Sequence, residues 1–160
     1  MITPAKPSLT PNNFSVGIPF RMRVRFGVLL TLFGLFVFLL GARPALFGLD
    51  RSLVVGFIQI EVFLVGLAIV CIGGYICMMS FWGNGNRTIA ADIGSRLVAT
   101  GYVVAVFSGM ADIFGFGTHI PPRVPVFGPW QATGVQIGEV LITIGFLLLI
   151  PIHSRKKTEE

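Results

Sequence analysis

Four stretches of this chain are apolar, nearly free of charge and long enough to cross a hydrocarbon layer about 30 Å thick as helices: residues 26–42, 53–79, 94–117 and 131–152. Inside lipid no water is available to backbone N–H and C=O groups, so a spanning segment must satisfy them itself, and runs of this length do so as α-helices. Only 12% of the 160 residues are charged, against about a quarter in soluble domains. With a mean hydropathy of +0.84, a soluble globular domain is excluded. The expected fold class is all-α: an integral membrane four-helix bundle, antiparallel, with both termini cytoplasmic.

The segments between the runs fit this organisation. Residues 1–25 are polar and Pro-rich and end in Arg21, Arg23 and Arg25, which reads as an irregular arm at a membrane surface. The basic stretch followed by an apolar run resembles a secretory signal, but 26–42 exceeds the usual apolar core of ~7 to 15 residues, and Ala42-Arg43-Pro44-Ala45 is a poor cleavage site. A retained span is expected. Asp50 stands as a candidate N-cap before the second run, Phe81 and Trp82 mark an interface, and Gly83-Asn84-Gly85-Asn86 is turn chemistry. Asp92 and Arg96, spaced i, i+4, suggest that the third helix begins before the membrane. Four prolines between His119 and Trp130 exclude a helix there, and Pro129 suits the first turn of the fourth. Residues 153–160 form a basic, then acidic tail.

Orientation follows from charge. Lys6, Arg21, Arg23, Arg25, Arg87, Arg96, Arg155, Lys156 and Lys157 fall on one side of a four-span arrangement, and Arg43, Arg51 and Arg123 on the other. Nine against three puts both chain ends in the cytoplasm. The expected location is a plasma membrane, of the prokaryotic inner-membrane type. The net charge of +5 belongs to this asymmetry, so nucleic acid is not an expected partner.

Helices in lipid associate through close packing and polar contacts, since lipid tails are as apolar as leucine. Small residues recur accordingly. Gly27, Gly34 and Gly41 in the first run, Gly66 and Gly73 in the second, Gly94 and Gly101 in the third, and Gly138 and Gly145 in the fourth are each seven apart. That spacing returns to nearly the same direction on a helix and predicts close backbone approach. Gly134 with Gly138, and Gly101 with Ala105 and Gly109, add four-residue spacings.

An ionisable side chain in a span is costly and needs a reason. Glu61, Asp112 and Glu139 are three such residues, expected ~7 to 12 Å below the outer boundary at 1.5 Å per residue. Gln59 and Gln136 share their layer, and Gln136, Glu139 and Thr143 share a helix face. Arg43, Arg51, Arg123 and His119 are the candidate charge partners in the outer loops. A polar pocket or half-channel for a cation or proton is one reading. The other is that the acids are paired or neutral and fix helix register. By helical geometry Asp112 should face the bundle, while Glu61 and Glu139 point away from the glycine faces; acids pointing outward would mark contact with another membrane subunit.

No metal site, cofactor or catalytic constellation is expected. Cys71 and Cys77 lie in one apolar run and read as packing residues. His119 and His153 fall a bilayer apart, too far to share one haem iron, and Met78 and Met110 read as packing rather than as axial ligands. The expected function is non-enzymatic: an accessory or scaffolding subunit docking other membrane proteins or copies of itself, with the lipid bilayer as its solvent. The alternative is a small transporter or channel component using Glu61, Asp112 and Glu139.

Overall fold

The structure, a computed structural model, describes residues 19–48, 56–82, 87–115 and 127–151. Its elements are α1 (Phe20–Ala42), a 3-10 turn at Pro44–Phe47, α2 (Phe57–Trp82), α3 (Ile89–Gly109) and α4 (Pro129–Leu149). All four α-helices are long and apolar enough to span a membrane.

The helix ends show why these residues fold locally as they do. The Pro19 carbonyl accepts from the N–H groups of Met22 and Arg23 at 2.8 and 3.2 Å, so α1 starts at Phe20 and absorbs Arg21, Arg23 and Arg25. The sequence reading placed these arginines in an irregular arm. Nothing between Phe20 and Phe26 breaks a helix, and long cationic side chains can extend back to a polar boundary while their stems lie on apolar surface. In α3, Thr88 is the N-cap, its hydroxyl accepting from Ala91 N–H at 3.3 Å, and Arg96 pairs with Asp92 at 3.0 Å as the i, i+4 spacing suggests. Pro129 opens α4, where the Gln131 side-chain oxygen accepts the Gly128 N–H at 2.7 Å. Asp50 and the Gly83-Asn84-Gly85-Asn86 stretch lie outside the described residues.

α3 ends at Gly109, eight residues before the expected limit of its apolar run. Ile113 and Phe114 still donate to the Met110 carbonyl, at 3.0 and 3.2 Å, so the chain continues in turns to Gly115, whose φ of 78° is left-handed. Glycine takes that conformation without steric penalty and closes the segment. Phe114 stacks on Phe107 with ring centroids 5.0 Å apart.

The seven-spaced glycines organise the packing. Along α1, Gly27, Gly34 and Gly41 lie against Cys77, Val70 and Phe63 of α2. In return Gly66 and Gly73 lie against Phe38 and Thr31. For every step of seven on one helix, the partner position falls by seven on the other. A Cβ at Gly27 would stand 2.8 Å from the backbone nitrogen of Cys77, and one at Gly34 would stand 2.6 Å from that of Val70. No real Cβ is accommodated so near backbone without displacing it. α3 and α4 repeat the device, with Gly94 against Gly145 and Gly101 against Gly138.

The two zipped pairs meet differently. Leu64, Leu67 and Cys71 of α2 form a buried cluster with Val98 and Ala105 of α3 and Ile142 and Leu149 of α4. Phe146 of α4 places its ring over Gly74, and the Trp82 indole N–H donates to the Leu149 carbonyl at 2.9 Å. That bond satisfies one of the carbonyls an α-helix leaves open at its C-terminus. Trp82, expected to mark an interface, is thus also tied to the end of α4. α1 adds only the partly buried Phe38 to the edge of this core: its buried residues are Gly27, Gly34 and Gly41, and among the described elements it packs on α2 and the 3-10 turn alone. The helices form two close pairs with α2 between α1 and the α3/α4 pair, rather than four helices sharing one central core.

Candidate functional site

A cleft of about 230 Å³ opens beside the start of α2, between the end of α1 and the first half of α4. Its polar lining consists of Gln59 from α2 and Gln136 and Glu139 from α4, three of the five residues singled out from sequence. Gly41 and Ala42 let the cleft reach the end of α1, because neither projects a long side chain into it. The remaining wall is apolar and includes Phe63, Phe127 and Val135. Sequence reasoning missed these. No sequence signal marked them, since which apolar residues line a cleft depends on how the helices pack.

Glu139 is the central residue of α4, with ten residues before it and ten after within Pro129–Leu149. At 1.5 Å per residue it lies about 15 Å from either helix end, deeper than the sequence reading placed it. A charged side chain at a helix centre costs roughly 2.5–3.5 kcal/mol on insertion scales. Glu139 is half-buried, and its backbone carbonyl accepts the Thr143 hydroxyl at 2.9 Å. Thr143 is itself exposed.

The other two acids are elsewhere. Glu61 sits in the second turn of α2, exposed, on one face with Ile58, Val65 and Ile72, all exposed as well. It does not line the cleft. Asp112 lies in the turn after α3 and not on the helix from which its direction was inferred, yet it is buried, at 9% exposure. Its Oδ1 is fully enclosed and has no hydrogen-bond partner among the described residues. Gly109, one turn earlier, packs on Ile60 and Val135, both of which border the cleft, but Asp112 does not line it. The proposed layer of five polar residues therefore separates into a cleft group, an exposed acid and a buried acid.

Of the candidate charge partners, Arg43 is exposed at the end of α1, and Arg51, His119 and Arg123 lie outside the described residues. Among the described residues the single ion pair is Arg96–Asp92, at the opposite ends of α3 and α4 from the cleft, and no group of His, Cys, Asp and Glu could hold a metal ion. Cys71 and Cys77 are free thiols, Cys71 buried in the shared core. A second, wider groove of about 470 Å³ runs between α2 and α3, floored by Ala68, Cys71 and Val98, with Tyr75, Tyr102 and Arg96 at its sides.

Comparison with family models, characterised proteins and solved structures returns no match to this chain. What the residues establish is a chain with four helices that can cross a membrane, compatible with a multi-pass membrane protein.

Proposed function

We propose that the protein is a four-span integral membrane protein, antiparallel, with both termini cytoplasmic, acting as a non-enzymatic accessory or scaffolding subunit of a membrane complex. The opposed register of the glycine contacts within each helix pair supports the antiparallel reading. The nine-to-three distribution of Lys and Arg supports the orientation, and with it a plasma membrane of the prokaryotic inner-membrane type.

The observation that carries the subunit reading is Glu61. The glycine faces are consumed inside the chain, so they do not advertise a partner; the exposed face of α2 does. A carboxylate about 6 Å into a spanning helix, among exposed Ile58, Val65 and Ile72, is poorly solvated by lipid tails and better served by a polar group on a neighbouring helix. A photo-crosslinking residue at Val65 in native membranes is expected to capture one membrane protein stoichiometrically, and Glu61→Leu to abolish the capture. Labelling of lipid alone from Val65 would reject the reading.

A second reading, a small transporter or channel component, draws on Glu139 at the midpoint of α4 in the cleft. The purified protein in liposomes would then conduct or exchange a cation alone, and Glu139→Gln would stop it.

A further inference from the structure

The cleft between the helix pairs offers one ionisable side chain, two carboxamides and an otherwise apolar wall carrying two phenyl rings. Ligand sites have this composition: mostly apolar surface, with a few placed polar groups that fix orientation. The geometry points to a binding site for a small organic cation, a protonated or quaternary amine, with its charge held at the Glu139 carboxylate and its hydrocarbon part beside Phe63 and Phe127.

The sign of the ligand follows from the lining. Among the described residues no Lys, Arg or His borders the cleft or comes within 4.0 Å of the Glu139 carboxylate. An anionic headgroup would meet repulsion there and no compensating donor beyond the amides. A metal ion is disfavoured by ligand number, since hard cations take about six to eight oxygens and the cleft supplies one carboxylate and two amide oxygens. Aromatic faces attract organic cations through the ring quadrupole and gain most when water is excluded. Gln59 and Gln136 add carbonyl oxygens that accept from an ammonium N–H. The volume of about 230 Å³ restricts the occupant to a compact molecule, below the size of most drug-like ligands.

This inference requires the four helices to sit together in a membrane or its mimic, and rests on neither a partner at Glu61 nor transport. The test is calorimetry on the full-length protein in nanodiscs, with empty discs subtracted, using benzyltrimethylammonium and its uncharged carbon isostere neopentylbenzene. Benzyltrimethylammonium is expected to bind saturably, at least tenfold more weakly to Glu139→Gln, while the neutral isostere shows no difference between the two proteins. Ala132→Leu, which fills the cleft and keeps the carboxylate, is expected to abolish cation binding; near-UV circular dichroism confirms that each variant is folded. Equal cation affinity in wild type and Glu139→Gln would overturn the proposal. So would undiminished binding in Ala132→Leu, or a wild type that shows no saturable binding, as when a loop arginine already holds the carboxylate. Failure of the four-span reading shows separately, as terminal tags on opposite sides of the membrane.

Discussion

Gly101 and Gly138 face each other across the α3/α4 pair so closely that neither can carry a side chain. A Cβ on Gly101 would stand 2.7 Å from the Gly138 carbonyl oxygen, and one on Gly138 would stand 2.6 Å from that of Gly101. The obstruction is backbone, which cannot rotate aside, so substitution must push the helices apart along their length. Gly101→Leu is expected to destabilise the protein by about 1–3 kcal/mol or more, the usual scale of overpacking. Gly56→Ala, where nothing among the described residues lies within 4 Å, should change stability far less. Denaturation in mixed micelles, followed by circular dichroism, compares the two.

The Trp82–Leu149 hydrogen bond is a polar tie between the two helix pairs. Trp82→Phe keeps an aromatic body and removes the donor, leaving a carbonyl of the last turn of α4 without that partner. A loss of about 0.5–1.5 kcal/mol is expected. Because the bond joins one pair to the other, the loss should appear as a wider distance between α2 and α4 labels in spin-echo measurements, with the α1–α2 distance unchanged.

These two positions differ in how far the sequence exposed them. The seven-residue glycine spacing was legible because close helix approach in lipid demands small residues at every second turn, and Gly101 and Gly138 were named on that ground. Their exact partners were not, since spacing along one helix gives a face and not the register of its neighbour. Trp82 was read as an interface residue because tryptophan favours that depth in general, whereas its donor found a helix end that only tertiary structure brings near. Glu139 was placed too shallow for a related reason. The apolar run suggested a start near residue 131, but Pro129 begins the helix, two residues earlier. Gln59 and Glu61, two apart on α2, point to different sides of the helix, and which of them faces the cleft with Gln136 depends on rotation of α2 about its axis, which the glycine contacts with α1 set.

Asp112, in a turn and not in a helix, presents an enclosed Oδ1 without a partner among the described residues. Leaving a buried acceptor unsatisfied costs about 1–3 kcal/mol. Asp112→Ala removes that acceptor and is expected to raise stability by up to that amount. A fall of the same size in a denaturation series would show that the carboxylate has a partner whose loss outweighs the relief.

The division into two glycine-zipped pairs predicts the order in which the protein comes apart. The helices approach backbone to backbone from Gly27 to Gly41 in the first pair and from Gly94 to Gly101 in the second, and close packing of this kind is what holds helices together in lipid. Between the pairs the contact is a side-chain cluster around Leu64, Leu67 and Ile142, the Phe146 ring over Gly74 and the Trp82 bond, with open clefts on both sides. Residues 1–84 and 85–160, co-expressed as separate chains, are expected to associate in mild detergent and to separate as intact hairpins when the detergent is made harsher. Native mass spectrometry would record the two halves while circular dichroism shows helix content retained. Loss of helix signal before the halves part would show that the interface between pairs is the stronger one, and would remove the distinction on which this order depends.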